Sequence, residues 1–121
     1  IYIVDMSCGS ATVAVKVDPV KHANLNGNAH GGLVATLADN ATGIAGATIG
    51  KRVVTSTLAT DFIKGAPVGT TISATSHITH ADDKLVTINI EVRDLDNDTL
   101  VAKATAAMIV IDTFPGIPEK W

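Results

Sequence analysis

The chain has 121 residues, of which 46% are apolar and 17% are charged, and its formal net charge is −3. This length supports one hydrophobic core and is too short for two, so we expect a single domain over residues 1–121. The apolar content excludes a disordered chain, and the lack of a basic cluster argues against nucleic acid as the main partner.

The chain carries no sign of export or membrane insertion. Its single cysteine cannot form an internal disulfide, so cysteine usage does not indicate an oxidising compartment. No basic segment followed by an apolar run of the signal-peptide kind stands at the start. The longest apolar stretch, Leu33 to Ile49, is interrupted by Asp39 and Asn40. We therefore expect a cytoplasmic protein without a membrane partner.

Five strands and one helix are predicted. Alternation of valines predicts the first strand at Thr12 to Val17, before a polar loop from His22 to Asn28. The helix follows this loop. Leu95 to Asp98 reads as a hairpin turn, and the segment from Phe114 to Trp121 reads as a tail. The remaining strands are predicted at Val53 to Ile63, Thr70 to His80, Lys84 to Asp94 and Thr99 to Ile111.

The helix lies within the stretch from Asn24 to Gly50, NLNGNAHGGLVATLADNATGIAGATIG. The Gly31-Gly32 pair opens it, and Gly50 suits its C-terminal cap. Because nearly every residue from Leu33 onward is apolar, the helix is expected to be buried on almost all sides. Asp39 is its one charged residue, and a carboxylate buried alone would be costly. This acid shares a face with Thr36 and Gly43, which predicts a cleft beside it.

The order of elements defines the fold class. One helix that follows one strand and precedes four strands joined by short turns is an α+β pattern with an antiparallel sheet. The sheet must curve around the helix, since no other element can cover it. This arrangement is the hotdog fold, a curved antiparallel sheet wrapped around one long central helix.

The motif itself resembles a known family. Asn24, His30-Gly31-Gly32, Asp39 nine residues after the histidine, and Gly43 resemble the phenylacetate-degradation (PaaI-like) thioesterases of the hotdog superfamily. The segment VVTSTLATDFIKGAP is similar to that family's second strand. The resemblance implies hydrolysis of acyl-CoA or aryl-acyl-CoA thioesters to free acid and CoA, without metal or redox cofactor. It also implies a homodimer, often paired into a homotetramer.

The resemblance implies roles for six residues. The backbone N–H of Gly31 would polarise the thioester carbonyl, and Asp39 would act as nucleophile or general base. Asn24 and His30 would position the site. Gly32 and Thr55 would contact the substrate, where Thr55 is preferred over Thr57 by counting back from the aromatic residue Phe62.

The chemistry also follows from the residues. A helix N-terminus offers unpaired N–H donors and the positive end of the dipole, which suit an oxyanion. A carboxylate supplies the base or nucleophile. Gly31 and Asp39 are eight residues apart, or about 12 Å along one helix. If they cooperate on one carbonyl, they must come from two subunits.

Plainer explanations exist for the same residues. Asp39 could be a structural acid bonded to nearby hydroxyls, Asn24 a turn residue, and the Gly31-Gly32 pair a packing device. His30 could simply bond loop backbone. His77 and His80, three apart on one strand, are predicted to face opposite sides and so to be poor metal ligands. Lys51, Arg52 and Lys64 could meet CoA phosphates or be solvated ends of elements.

Two functional classes stay open, a thioesterase and a non-catalytic acyl-CoA binding or sensing module on the same fold. A hotdog dehydratase is a weaker third, because its signature is not found. Within the first class, small residues at the helix surface are expected to leave room for a bulky acyl group. They are Ala38, Ala41, Thr42 and Ala45.

Overall fold

A computed structural model describes residues 1–117 and shows one helix packed against a six-stranded antiparallel sheet. The elements are β1 (Tyr2–Ser7), β2 (Ser10–Lys16), α1 (Gly31–Thr48), β3 (Lys51–Phe62), β4 (Thr71–Ala81), β5 (Leu85–Asp94) and β6 (Thr99–Thr113). The order across the sheet is β1-β2-β4-β5-β6-β3, so β1 and β3 form its two edges. The predicted α+β class and hotdog arrangement are confirmed. Part of the predicted tail, residues 118–121, lies outside the described residues.

All five predicted strands are present, with boundaries that shift by at most two residues. The expectation of a single strand before the helix is wrong, because β1 also precedes it. Every residue of β1 is exposed, so no alternation of apolar and polar residues marks it in the sequence. It is a strand because a turn at Gly9, whose φ is 82°, returns the chain onto β2.

The core lies between the sheet and one side of α1. Its largest fully buried side chains include Leu37 of the helix and Ile72, Ile88 and Met108 of the central strands. A buried hydroxyl ties these layers together, since Ser76 Oγ of β4 donates to the carbonyl oxygens of Ala41 at 2.9 Å and Ala11 at 3.2 Å. The helix segment around Asp39 is therefore attached to the sheet by a hydrogen bond as well as by packing.

The helix begins at Gly31 and ends at Thr48, and Gly50 follows it with a φ of 80°. Glycine adopts this conformation without steric cost, so the predicted C-terminal stop is confirmed. Over residues 1–117 the structure contains no helix with the length and hydrophobicity needed to cross a bilayer.

The expectation that α1 is buried on nearly all sides is wrong for the single chain. A stripe of four residues, called here the uncovered face of α1, is exposed: Gly32, Thr36, Asn40 and Gly43. One sheet covers one side of a helix, and residues 1–117 provide no second layer for the other side. The small residues expected to leave room for an acyl group lie instead against the sheet, where Ala38, Ala41, Thr42 and Ala45 are fully buried.

The two histidines of β4 correct a further expectation. His77 lies opposite Asn89 and His80 lies opposite Thr87, because a bulge interrupts the register between Ile78 and His80. Asn89 and Thr87 are two apart on β5 and so share a face. His77 and His80 therefore share the outer face of the sheet, rather than pointing to opposite sides.

The hairpin turn after β5 forms as predicted, and a buried carboxylate organises it. Asp94 is 1% exposed and accepts hydrogen bonds from the backbone N–H groups of Asp96 and Asn97 and from the Asn97 amide. Burial alone would raise the pKa of Asp94. The Asn97 amide, the two backbone N–H groups and the charge of Lys64 outweigh burial and lower that pKa below its ordinary value.

Asp94→Asn should lower the free energy of unfolding at pH 7 by about 1.5 to 3 kcal/mol, because hydrogen bonds to a charged acceptor are lost. A carboxyl whose folded-state pKa is depressed contributes stability above its unfolded pKa of about 3.9 and loses it as the pH falls through the folded value. Urea unfolding from pH 7 down to pH 3 should show the difference between wild type and variant shrinking.

The matched control is Asp98→Asn on the same turn. The Asp98 side chain is 94% exposed, so this change should leave the free energy of unfolding almost unaltered. A wild-type advantage over Asp94→Asn that stayed constant across this pH range would contradict the assigned role of the charge.

Candidate active site

A cleft of about 300 Å³ opens at the N-terminus of α1. Asn24, Gly31, Phe62 and Lys64 are among the residues that line it. The Phe62 ring lies over Gly31, where an added Cβ would be 3.4 Å from the ring. The structure thus brings two of the predicted site residues, Asn24 and Gly31, into one cleft.

The start of the helix presents free donors. Within residues 1–117, the backbone N–H groups of Gly31 and Gly32 have no acceptor, whereas those of Leu33 and Val34 bond the His30 carbonyl at 3.0 and 3.4 Å. The first N–H groups of a helix lack internal partners and lie at the positive end of its dipole. The Gly31 N–H therefore suits an oxygen that carries, or develops, negative charge.

The Asn24 side chain has a structural task in the loop before the helix. Its Oδ1 accepts hydrogen bonds from the backbone N–H groups of Asn26 at 2.9 Å and Asn28 at 3.1 Å. Its own backbone N–H donates to the Asn28 carbonyl at 2.7 Å, and Gly27 completes the turn with a φ of 75°. The plainer explanation of Asn24 as a turn residue is therefore observed, and only its amide nitrogen remains for other contacts.

His30 joins the loop to the helix through its backbone. Its N–H donates to the His22 carbonyl at 2.8 Å, and its exposed side chain makes no capping hydrogen bond. His22 is held in turn, because its Nδ1 accepts the backbone N–H of Asp18 at 2.9 Å. These contacts place Gly31 relative to the loop without using the His30 imidazole.

Asp39 lies on α1 eight residues after Gly31, next to the uncovered face of the helix. It is half-buried, and its Oδ1 accepts a hydrogen bond of 2.5 Å from Thr55 Oγ1 of β3. The Thr42 hydroxyl donates to the Asp39 backbone carbonyl at 2.6 Å. Within residues 1–117, no partner contacts Asp39 Oδ2, so one carboxylate oxygen is held and the other is available.

A bulge in β3 decides between Thr55 and Thr57. Thr55 lies opposite Met108 and Thr57 lies opposite Ala107, so Ser56 is the extra residue. Val53 and Leu58 both pack on the core, although residues five apart in a regular strand face opposite sides. The bulge therefore keeps Thr55 on the helix side, with Val53, and turns Thr57 outward. Bulges re-aim side chains in this way.

The six predicted site residues thus fall into two groups in one chain. Asn24, His30, Gly31 and Gly32 lie at the start of the helix, and Asp39 and Thr55 lie two turns further along. Asp39 does not line the cleft that contains Gly31. A single copy of the chain therefore does not assemble the donor and the acid around one point.

The three cations considered for phosphate binding lie in different environments. Lys64 lines the cleft, Lys51 is buried at the start of β3, and the Arg52 guanidinium stacks 5.0 Å from the centre of the Phe114 ring. Among the described residues, no three histidine, cysteine, aspartate or glutamate side chains cluster in a way that would hold a metal ion.

Asn28 and Gly65 line the cleft, although the sequence analysis gave neither of them a role in the site. Gly65 has no side chain, and a Cβ built there would lie 2.8 Å from Asn28 Cγ and Nδ2. Asn28 thus packs its carboxamide directly against the Gly65 backbone. The Gly65-Ala66-Pro67 segment after β3 is visible in the sequence, but its contact with Asn28 depends on the tertiary structure.

Comparisons with known proteins give the family of this chain. A profile of the thioesterase superfamily matches residues 26–101. A comparison with curated protein sequences gave no match.

Several solved structures are similar over nearly the whole chain. A Streptococcus mutans protein bound to acetyl-CoA has 26% identity and a TM-score of 0.88, and the alignment covers 93% of this chain and 90% of that one. The Escherichia coli PaaI protein of the phenylacetic acid degradation operon has 27% identity and a TM-score of 0.87, with coverages of 93% and 80%. A Streptococcus pneumoniae hypothetical thioesterase with coenzyme A has 25% identity and a TM-score of 0.87, with coverages of 93% and 86%.

The resemblance predicted from the sequence is therefore confirmed, in both the profile match and the fold. The profile covers the helix, β3, β4, β5 and the first three residues of β6. The chain belongs to the thioesterase superfamily.

Proposed function

We propose that this protein hydrolyses acyl-CoA or aryl-acyl-CoA thioesters to the free acid and CoA. The observation that carries the proposal is the Asp39 carboxylate, held at one oxygen by Thr55 and free at the other. Similar structures that contain acetyl-CoA or coenzyme A support this choice of substrate class.

The reaction needs a donor and a carboxylate. The Gly31 N–H donates to the thioester carbonyl oxygen and stabilises the oxyanion that forms when the carbonyl carbon is attacked. In one route Asp39 takes a proton from water, whose oxygen adds to that carbon. In the other route Asp39 itself attacks, and water then cleaves the mixed anhydride. In both routes the carbon–sulfur bond breaks. In the first route Asp39 returns its proton to the CoA sulfur, and in the second route CoA leaves as the thiolate and takes a proton from solvent.

Each site uses two copies of the chain. Gly31 and Asp39 are about 12 Å apart along one rigid helix, which exceeds the reach of a single carbonyl group. A two-fold homodimer brings the Gly31 of one copy to the Asp39 of the other and forms two equal sites. Two features suit a second copy: the uncovered face of α1, and the edge of β3, which pairs only with β6. As the resemblance implies, two dimers pair into a tetramer.

Asp39→Asn should lower kcat on the best acyl-CoA by about a hundredfold or more, because general-base and nucleophilic groups contribute at least this much. Thiol release from a panel of acyl-CoA substrates measures it, with circular dichroism as the check on folding. Activity should persist in a chelator, since the carboxylate and the N–H supply the chemistry. Near wild-type turnover in Asp39→Asn would refute the role of Asp39. Binding of acyl-CoA by the wild type without turnover would instead favour the binding-module alternative.

Thr55→Val keeps the shape of the side chain and removes the hydroxyl. It should lower kcat by about tenfold to a hundredfold, in line with loss of one hydrogen bond to a charged group. The matched control is Thr57→Val on the same strand, which lies beyond the bulge and faces outward, and its kcat should equal that of the wild type. Equal losses in both variants would show that the Thr55–Asp39 hydrogen bond has no catalytic importance.

Mixing two inactive variants tests the shared site. Gly31→Pro removes the N–H donor at the first helical position, where proline is tolerated, and His30, with φ −57° and ψ 143°, already has a backbone compatible with a following proline. Refolding Gly31→Pro together with Asp39→Asn should restore about a quarter of wild-type activity, because about half of the dimers are mixed and each has one intact site.

The control for the mixture is the Gly31→Pro/Asp39→Asn double variant refolded with wild type in equal amounts. With shared sites only the wild-type homodimers are active, so about a quarter of the activity remains, whereas sites within single chains would leave about half. Failure of the two single variants to complement, with both folded and dimeric, would contradict the shared site.

A further inference from the structure

We infer that Asn28 is a specificity-determining residue that recognises the amide of the pantetheine arm nearest to the thioester sulfur. This rests on the proposed function and adds to it a residue that reads the thiol portion of the substrate. The inference comes from the place of Asn28 in the cleft at the start of α1, beside Gly31.

The backbone of Asn28 is fixed from both sides. Its carbonyl accepts the Asn24 N–H at 2.7 Å, and its N–H donates to Asn24 Oδ1 at 3.1 Å. It also forms an isolated β-bridge with Pro67, and the neighbouring Ala29 N–H donates to the Ala66 carbonyl at 2.8 Å. The loop and the segment after β3 therefore hold the Asn28 backbone in one place.

The side chain of Asn28 is confined as well. A Cβ on Gly65 would lie 2.8 Å from Asn28 Cγ and Nδ2 and 3.1 Å from Oδ1. All three amide atoms thus lie against one glycine, which means that the carboxamide plane rests on the Gly65 backbone. Any larger residue at this position would displace it.

The hydrogen-bonding groups of this confined carboxamide are unused. Among residues 1–117 no partner contacts its oxygen or its nitrogen, in contrast to Asn24, whose Oδ1 accepts two N–H groups. A positioned carboxamide offers one acceptor and two donors. These groups match a secondary amide of a ligand, which has one N–H and one C=O.

The chemistry of the cleft indicates which part of the substrate lies there. An aliphatic acyl group against Asn28 would remove water from a carboxamide and provide no hydrogen bond, which is costly. The thiol side of acyl-CoA is polar, with its first amide two carbons from the sulfur and phosphates further out. Lys64 lines the same cleft and adds a cation on that side. Asn28 and Gly31 line the same cleft. With the thioester oxygen at the Gly31 N–H, the first amide on the thiol side is the polar group of the substrate that lies nearest to the reacting carbon.

Two small substrates with the same acyl group isolate this contact. One is the thioester of N-acetylcysteamine, which keeps the first pantetheine amide, and the other is the thioester of butanethiol, which lacks any amide. The ratio of their kcat/KM values is the measurement. In Asn28→Ala this ratio should fall about threefold to tenfold relative to wild type, the effect of one neutral hydrogen bond. Asn26→Ala, an exposed residue of the same loop, should leave the ratio unchanged.

A second variant tests whether the position of the Asn28 carboxamide, and not only its presence, determines the ratio. Gly65→Ala keeps Asn28 but displaces its carboxamide, so the ratio should fall in the same direction. A ratio that is unchanged in Asn28→Ala, or equal losses on both substrates, would overturn the inference. So would a change in acyl-chain preference without a change in the ratio. Wild-type protein that cleaved no thioester would instead refute the proposed function, so the two failures are distinguishable.

Discussion

The rigid spacing of Gly31 and Asp39 along one helix constrains how these two residues can be used together in a site. An α-helix rises about 1.5 Å per residue and does not bend enough to bring its first turn to its third. The donor and the acid therefore stay apart in each chain, whatever the loops do. The sheet reinforces this separation, because Phe62 at the end of β3 packs at Gly31, whereas Thr55, seven residues earlier on β3, bonds Asp39.

Because β3 is an edge strand, Thr55 and the Asp39 carboxylate that it bonds lie close to the protein surface. A central strand would have a neighbouring strand on each side of Thr55. Within residues 1–117, β3 pairs with β6 alone, and most of its residues are exposed. Its bulge at Ser56 reverses the alternation of side chains in mid-strand. The same strand can therefore contact the acid through Thr55 and still pack Leu58 into the core.

The loop before the helix illustrates how neighbouring residues of one type take different roles. Asn24 and Asn28 both line the cleft. The oxygen of Asn24 holds the turn, and the carboxamide of Asn28 lies unbonded against Gly65. Asn24 thus makes the local side-chain to backbone hydrogen bonds that are typical of asparagine in turns, and the Asn28 carboxamide takes no part in them.

The sequence by itself determined the class of fold, the helix and its ends, five strands and the family, because alternation, glycine caps and the HGG motif are local patterns. It did not reveal β1, whose exposed residues carry no alternation. It also did not reveal the uncovered face of α1, because how much of the helix the sheet covers depends on how the strands pack against it. The bulges at Ser56 and Thr79 were also invisible. The first turns Thr57 outward while Thr55 stays on the helix side, and the second puts His77 and His80 on one face. Only the tertiary structure brought Asn28 to Gly65, since a contact between residues distant in sequence depends on how the strands and the helix pack.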